Sequence, residues 1–221
     1  RIDLKSLNNV RIKNERLLCF YNSIIYNGKV LSNDTYKDES KVKYYDVNEL
    51  IAAKEGEAPA VTELDIIQKQ KINFVLAKDG NVYTLESADN GCNIVKIKND
   101  FTLEKVFANF QPAKGPYHSS PTIGMVASET ENIIYLVSTD GAIYKYILGD
   151  SDSLKAPFIA AESGVSITAP LQLNQQSGEL YVTYTEERKD ESKIVVYSKD
   201  GKVLHTVDCG ESVPSQILFN N

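Results

Sequence analysis

Short stretches in which apolar and polar residues alternate recur along the chain and predict β-strands. One pair flanks Asn27-Gly28 in IIYNGKVLS (24–32), and another flanks Asp79-Gly80 in VLAKDGNVYTL (75–85). Asn-Gly and Asp-Gly are strong hairpin signals, because these residues tolerate the positive φ that a two-residue turn needs at both positions. The pattern therefore predicts a β-hairpin at each place.

The strand that follows these turns recurs at a nearly constant interval. Superposing KVL, NVYTL, IIYLV and ELYVTY aligns Leu31, Tyr83, Tyr135 and Tyr181, with spacings of 52, 52 and 46 residues. The pentapeptide KDESK occurs twice, and its two copies are 152 residues apart, which is three such intervals to within two residues. The sequence thus indicates a structural repeat of about 50 residues.

A second series of motifs supports this register. Three segments of the form [S/T]-x-Pro end at Pro121, Pro170 and Pro214, and each precedes an apolar strand. Proline is tolerated at the first residue of a strand, where its missing N–H has no ladder partner. We therefore expect each proline to open a unit.

The repeat divides the chain into units of four short strands. Their approximate bounds are 16–60, 65–110, 117–162 and 166–208, and SQILF (215–219) would belong to another unit that starts at 212. Two segments also fit short amphipathic helices, VNELIAAKE (47–55) and TELDIIQKQ (62–70), so their type stays open.

Four-stranded antiparallel units that repeat in this way predict an all-β fold, a β-propeller with about four visible blades. A lone four-stranded sheet cannot bury both of its faces, so it must stack on similar neighbours. A β-sandwich is the alternative, but it predicts no self-similarity at this interval. We expect residues 1–221 to form a single propeller domain or a fragment of a larger propeller, since RIDLKSLNN (1–9) resembles the tail of a preceding element.

One predicted blade resembles a known group of proteins. The segment SSPTIGMVASETENIIYLVSTDGAIYKY (119–146) is similar to the blades of quinoprotein-like (PQQ-type) bacterial propellers, in which a Ser-Pro opening, a strand and a D-G-x-I-Y hairpin recur. The sequence departs from the quinone-binding members, whose docking motif ends in Trp, because it contains no Trp. We therefore expect no quinone and no other cofactor.

The composition more loosely resembles that of surface lipoproteins of gut Bacteroidetes, being rich in Lys, Asn, Tyr and Ile. This resemblance implies an extracytoplasmic location, in the periplasm or at the cell surface. Cys19, Cys92 and Cys209 are far apart and form no C-x-x-C pair, which disfavours structural zinc or a disulfide framework. Because cysteine usage does not settle the compartment, the cytoplasm remains open.

Charge and hydropathy argue against a nucleic-acid-binding surface and against a membrane-spanning segment. The net charge is −6, with no basic stripe of the kind that nucleic-acid binding requires. No apolar run approaches the roughly 18 residues needed to cross a bilayer. We therefore predict no nucleic-acid partner and no membrane-spanning segment.

The candidate binding residues precede the predicted strand openings. Tyr117 and His118 lie in GPYHSSP, and Ser166 and Glu211 occupy related positions before the later openings. Equivalent loops of a repeat array project from the same face, so these residues are candidates for a common ligand site. A solvent-facing histidine in a loop is the plainer interpretation of His118. We expect no metal site, since the chain has only two histidines.

Several tyrosines fall at strand positions where aromatic side chains pack between blades, namely Tyr83, Tyr135, Tyr144 and Tyr181. No G-x-S-x-G, H-E-x-x-H or P-loop motif is present. The sequence therefore favours a non-catalytic propeller whose rim loops bind a protein or carbohydrate ligand. An enzyme, a lyase or hydrolase with its site at the channel mouth, and a structural subdomain of a longer chain remain alternatives.

Overall fold

The computed structural model describes most of the chain: residues 23–33, 40–53, 59–68, 73–113, 124–186, 191–214, 217 and 219. Backbone contacts divide it into two units, residues 1–69 and 70–221. None of the helices among the described residues is long and apolar enough to span a bilayer.

The first unit holds one antiparallel sheet, the first sheet, with the order β1-β2-β3-β4. The turn between β1 and β2 is the predicted Asn27-Gly28 hairpin, with φ values of 48° and 73°. A short helix, α1, follows β3 and is capped by the Asp46 carboxylate, which accepts hydrogen bonds from the N–H groups of Asn48 and Glu49. The elements are β1 (Ile24–Tyr26), β2 (Lys29–Ser32), β3 (Ser40–Asp46), α1 (Val47–Ala52) and β4 (Thr62–Gln68).

The two segments left open by the sequence have different structures. Residues 47–52 are helical, whereas TELDIIQ forms β4, the last strand of the first sheet. Leu64, Ile66 and Gln68 are buried at alternate positions of β4, which is the period of a strand and not of a helix. The segment begins like a helix, but the burial of every second side chain favours the strand.

The second unit contains three antiparallel sheets, and the described part of the chain is all-β apart from short helical segments. The second sheet has the order β5-β6-β7-β8, and the third has β11-β10-β9. In the fourth sheet β12 and β13 both pair with β14, which is followed by β15 and β16. The strands are β5 (Val75–Leu76), β6 (Val82–Ala88), β7 (Gly91–Ile97), β8 (Leu103–Phe110), β9 (Met125–Ala127), β10 (Ile133–Val137), β11 (Ile143–Ile147), β12 (Val165–Ile167), β13 (Gln172–Leu173), β14 (Leu180–Glu186), β15 (Ser192–Tyr197) and β16 (Val203–Gly210).

The repeat register inferred from the sequence agrees with these sheets. Leu31, Tyr83, Tyr135 and Tyr181 lie on β2, β6, β10 and β14, which hold equivalent positions next to the first strand of each sheet. Two further Asp-Gly pairs occur later in the chain, Asp140-Gly141 and Asp200-Gly201. Their turns are not equivalent to each other, since Gly141 lies between β10 and β11 and Gly201 lies between β15 and β16.

Two details of the predicted units are wrong. The fourth strand expected in the unit 117–162 is reduced to a single bridge between Ile143 and Ile159, because residues 151–154 form a 3₁₀ turn and Pro157 has no N–H to extend the ladder. Pro170 does not open its unit, since β12 before it and β13 after it both pair with β14. The proline interrupts a strand that begins at Val165.

The sheets of the second unit stack face to face through two apolar clusters. One joins the second and third sheets and includes Tyr83, Ile94 and Ile134. The other joins the third and fourth sheets and includes Tyr135 and Leu180. The first strands of these sheets also contact one another, β5 with β9 and β9 with β13. Stacked antiparallel sheets with adjacent first strands form a partial β-propeller.

Side-chain amides connect these adjacent first strands. Asn73, just before β5, donates from Nδ2 to the Met125 carbonyl oxygen at 2.8 Å and accepts from the Met125 N–H at 3.2 Å. Gln175, after β13, donates to the Ala127 carbonyl oxygen at 3.0 Å. The amides satisfy backbone groups that the short inner strands leave outside their own ladders.

The described residues of SQILF lie outside any strand but contact the fourth sheet. The Ile217 N–H donates to Gln172 Oε1 at 2.7 Å, and the Phe219 ring lies 5.0 Å from that of Tyr181. Tyr83 and Tyr135, which are equivalent to Tyr181, belong to the clusters shared with the next sheet along the chain. Residue 219 thus occupies the side of the fourth sheet on which the repeat predicts a further element.

Candidate functional site

Two turns of the second sheet lie side by side and share one backbone geometry. In the turns 77–80 and 98–101, the first carbonyl oxygen accepts a hydrogen bond from the fourth N–H, at 2.9 and 2.8 Å. Only the fourth residue has positive φ, 76° at Gly80 and 64° at Phe101. The prediction of a two-residue Asp79-Gly80 turn is therefore wrong, because in this longer turn only the glycine is left-handed.

These turns border an open depression with a volume of about 410 Å³. Its walls are formed by Asn81 from the first turn and by Lys96, Lys98, Asn99 and Asp100 from the end of β7 and the second turn. The two turns are adjacent because Val82, at the start of β6, pairs with Ile97 at the end of β7. Strand register therefore places side chains that are 18 residues apart in sequence, those of Asn81 and Asn99, in one depression.

The carboxylate of Asp79 organises one wall of the depression. Its Oδ2 accepts hydrogen bonds from Tyr83 Oη and Lys96 Nζ, each at 2.9 Å, and its Oδ1 accepts from the Asn81 N–H at 3.1 Å. Burial disfavours the charged carboxylate, but the hydrogen bonds from Lys96, Asn81 and Tyr83 outweigh this effect and lower its pKa. Asp79 thus remains ionised and holds Lys96 in place.

The lining residues of the second turn are held in a similar way. Lys98 Nζ lies 2.9 Å from Glu104 Oε2, and this hydrogen bond lowers the pKa of Glu104. Asp100 Oδ1 accepts hydrogen bonds from the hydroxyl and the N–H of Thr102, at 2.6 and 3.0 Å, and the bond from the hydroxyl is the main reason that its pKa is lowered. The charged groups of the depression are therefore oriented by protein contacts.

Replacing Tyr83 by Phe tests the hydrogen bond to Asp79. We expect Tyr83→Phe to lower the free energy of unfolding by about 1 kcal/mol, because a mostly buried hydroxyl loses its bond to a carboxylate. Tyr135→Phe is the matched control: Tyr135 is equally buried, and the described residues give its hydroxyl no hydrogen bond. Urea unfolding should show a change below about 0.5 kcal/mol for the control. Equal losses in both variants would contradict the role assigned to Asp79.

The predicted site residues lie elsewhere. Tyr117 and His118 fall outside the described residues, while Ser166 is half-buried on β12 and Glu211 is exposed directly after β16. Ser166, Thr185, Ser192 and Gly210 are paired in a row across the fourth sheet. With strands about 4.8 Å apart, Ser166 and Gly210 are separated by about 14 Å. Ser166 and Glu211 thus share one end of a sheet but form no common pocket.

The depression lies at the other end of its own sheet. It adjoins the start of β6 and the end of β7, whereas Ser166 adjoins the end of β14 and the start of β15, which are the equivalent strands of the fourth sheet. The three loops before Pro121, Pro170 and Pro214 were expected to project from one face of the repeat array, and this stays a prediction. The second turn of the depression, KNDF (98–101), gave no clear signal in the sequence. It is polar, but it has Phe101 at the left-handed position where a glycine would be expected.

The remaining candidates have structural surroundings. Tyr83 and Tyr135 are buried between sheets as predicted, and the Tyr144 ring contacts Phe110 at 5.8 Å. Cys92 is buried, which raises the pKa of its thiol to about 11, with a smaller contribution from Glu86. Within the described part of the chain, no three His, Cys, Asp or Glu side chains are grouped to hold a metal ion.

Solved structures with the same architecture define the class of this fold. Puromycin hydrolase is 13% identical with a TM-score of 0.54, and the match covers 85% of this chain and 28% of that one. Prolyl oligopeptidase B from Galerina marginata is 12% identical with a TM-score of 0.53, covering 85% and 27%. Virginiamycin B lyase from Staphylococcus aureus is 16% identical with a TM-score of 0.38, covering 83% and 54%. The chain thus spans just over a quarter of the first two structures, and their similarity shows that its fold is that of a β-propeller.

The chain itself belongs to a defined family. Residues 23–220 match the family described as Domain of unknown function (DUF5074). The comparison with curated proteins finds no match. These results support the propeller part of the resemblance seen in the sequence, while its quinoprotein part stays a prediction.

Proposed function

We propose that this chain is a non-catalytic binding module that holds a carbohydrate in the depression beside the turns 77–80 and 98–101. The observation that carries the proposal is the set of side chains that line it. Two asparagines, two lysines and one aspartate line a single open volume of about 410 Å³. A few convergent polar groups in a concave surface are typical of ligand sites.

The chemistry of these groups suits neighbouring sugar hydroxyls. Each hydroxyl both donates and accepts a hydrogen bond, and an asparagine amide carries both functions. Asn81 Nδ2 donates to the Asp79 carbonyl oxygen at 3.1 Å, which orients this amide at the edge of the depression. Lys96 and Lys98 add donors, and Asp100 adds an acceptor that stays charged because its pKa is lowered by the Thr102 hydroxyl. Such charge-assisted hydrogen bonds are stronger than those between neutral groups.

The depression is also pre-organised. Lys96 is held by Asp79, Lys98 by Glu104 and Asp100 by Thr102, so the side chains lose little freedom when a ligand binds. A carbohydrate ligand would suit the extracytoplasmic location that the composition predicts. The hydrolase and lyase activities of the structural neighbours belong to those proteins, which are at most 16% identical to this chain.

Affinity electrophoresis in gels that contain glucan, mannan, xylan or pectin tests this function. We expect at least one polysaccharide to retard the chain, and we expect Asn99→Ala to weaken that retardation about tenfold, the value of one good hydrogen bond. Gln176→Ala is the matched control, because Gln176 is an exposed amide in a turn of the fourth sheet. No retardation by any polysaccharide, or equal weakening in both variants, would contradict the proposal.

A further inference from the structure

The charged side chains around the polar depression are paired with one another. Lys96 Nζ lies 2.9 Å from Asp79 Oδ2, and Lys98 Nζ lies 2.9 Å from Glu104 Oε2. The first pair is the less exposed of the two, so water and salt screen it less than they screen the second. Each lysine that lines the depression therefore already has a carboxylate partner within the protein.

A third carboxylate, that of Asp100, adds a further negative charge to the depression. Its Oδ1 accepts hydrogen bonds from the hydroxyl and the N–H of Thr102, which are both neutral donors. The contacts described above lower the pKa values of Asp79, Asp100 and Glu104, so all three are ionised at neutral pH. With two lysines and three carboxylates, this group of side chains carries one net negative charge.

Paired lysines still offer hydrogen bonds to a neutral ligand. An ammonium group has three N–H donors, and the contact with its carboxylate uses one of them. A sugar hydroxyl can therefore accept a hydrogen bond from Lys96 or Lys98 without displacing the carboxylate.

A negatively charged sugar would meet a different environment. A uronate would compete with Asp79 and Glu104 for the same two cations. Asp100 would also repel it, because charges that share one depression lie within the Debye length of about 8 Å at physiological ionic strength. The whole chain has a net charge of −6, which adds to this repulsion at longer range.

We propose that the depression selects neutral polysaccharides over those that contain uronic acids, and that the net charge of its side chains is the discriminating feature. This inference rests on the proposed function, since it names the class of carbohydrate that the same site binds. Asp100 is the specificity-determining residue, because it supplies the third negative charge while both lysines are paired with other carboxylates.

Titration calorimetry with cello-, manno- and xylo-oligosaccharides and with oligogalacturonides tests the selectivity. We expect at least one neutral series to bind, with an affinity that changes less than about twofold between about 20 and 200 mM NaCl, because no net charge is neutralised. We expect oligogalacturonides to bind at least about fivefold more weakly at 20 mM NaCl, which is the effect of one unit charge about 4 Å away in water.

Asp100→Asn tests the residue that sets this preference. The variant keeps an oxygen that can accept from Thr102 but removes one negative charge, so the affinity for oligogalacturonides relative to that for the neutral series should rise about fivefold. Asp200→Asn is the matched control, because Asp200 is exposed and holds the position of Asp100 in the equivalent turn of the fourth sheet, 198–201. It should leave this ratio unchanged.

The outcomes separate this inference from the proposed function. Oligogalacturonides that bind as tightly as the neutral series would overturn the selectivity but leave the depression as a carbohydrate site. An equal change of the ratio in Asp100→Asn and Asp200→Asn would overturn the role of Asp100. If none of the oligosaccharides bound, the proposed function itself would be contradicted, and the selectivity with it.

Discussion

Leu180→Ala is expected to lower the free energy of unfolding by about 3 kcal/mol, because Leu180 is fully buried in β14. It belongs to the apolar cluster that joins the third and fourth sheets. Truncation removes its apolar contacts and leaves a cavity, and both effects destabilise the native state. Urea unfolding monitored by tyrosine fluorescence measures the change.

The control for this prediction is Leu204→Ala on β16. Leu204 is 43% exposed, so its loss should change the free energy of unfolding by less than about 0.5 kcal/mol. A small effect at Leu180, comparable with that at Leu204, would mean that the two sheets do not pack through this cluster. The stacking of blades would then be wrong for this part of the chain.

Gly91→Ala is expected to cost about 3 kcal/mol for a different reason, a steric clash with a neighbouring strand. Gly91 begins β7 with φ at +122°, and an added Cβ would lie 2.6 Å from the Phe110 carbonyl oxygen and clash with the Gln111 side chain. A backbone oxygen cannot move aside cheaply, so β7 and β8 would have to separate locally. Thermal and urea unfolding of the variant should both show the loss.

Gly164→Ala separates this clash from backbone strain. Gly164 also has positive φ, +81°, but no atom lies within 4 Å of the position that an added Cβ would take. We expect this variant to lose about 1 kcal/mol, the cost of a left-handed conformation alone. If Gly91→Ala and Gly164→Ala lost the same amount, the close approach of β8 to Gly91 would be contradicted.

The sequence predicted the fold where its signals were local. Asn27-Gly28 specifies a two-residue hairpin through the φ preferences of both residues, and the aligned tyrosines Tyr83 and Tyr135 fall on equivalent strands because each fills the space between two sheets. It failed where a neighbouring strand decides the outcome. TELDIIQ has the polar start of a helix, yet Ile66 is buried by the strand alternation of β4.

The depression was not predictable in the same way. The left-handed residue of its second turn is Phe101, and a non-glycine residue at positive φ gives no sequence signal. Asn81 and Asn99 come together only through the register of β6 with β7, which a single sequence does not specify at the level of side chains. The expectation that strand openings carry ligand residues pointed instead to Ser166 and Glu211, at the other end of the equivalent strands.

The most direct test of the account is an NMR titration of the ¹⁵N-labelled chain with oligosaccharides from the polysaccharide that retards it. We expect chemical-shift changes concentrated at the two turns, at Asn81 and at residues 96–100, with Ser166 and Glu211 unchanged. Saturable changes centred on Ser166 and Glu211, or the absence of saturable changes at the turns, would contradict the assignment of the binding site to this depression.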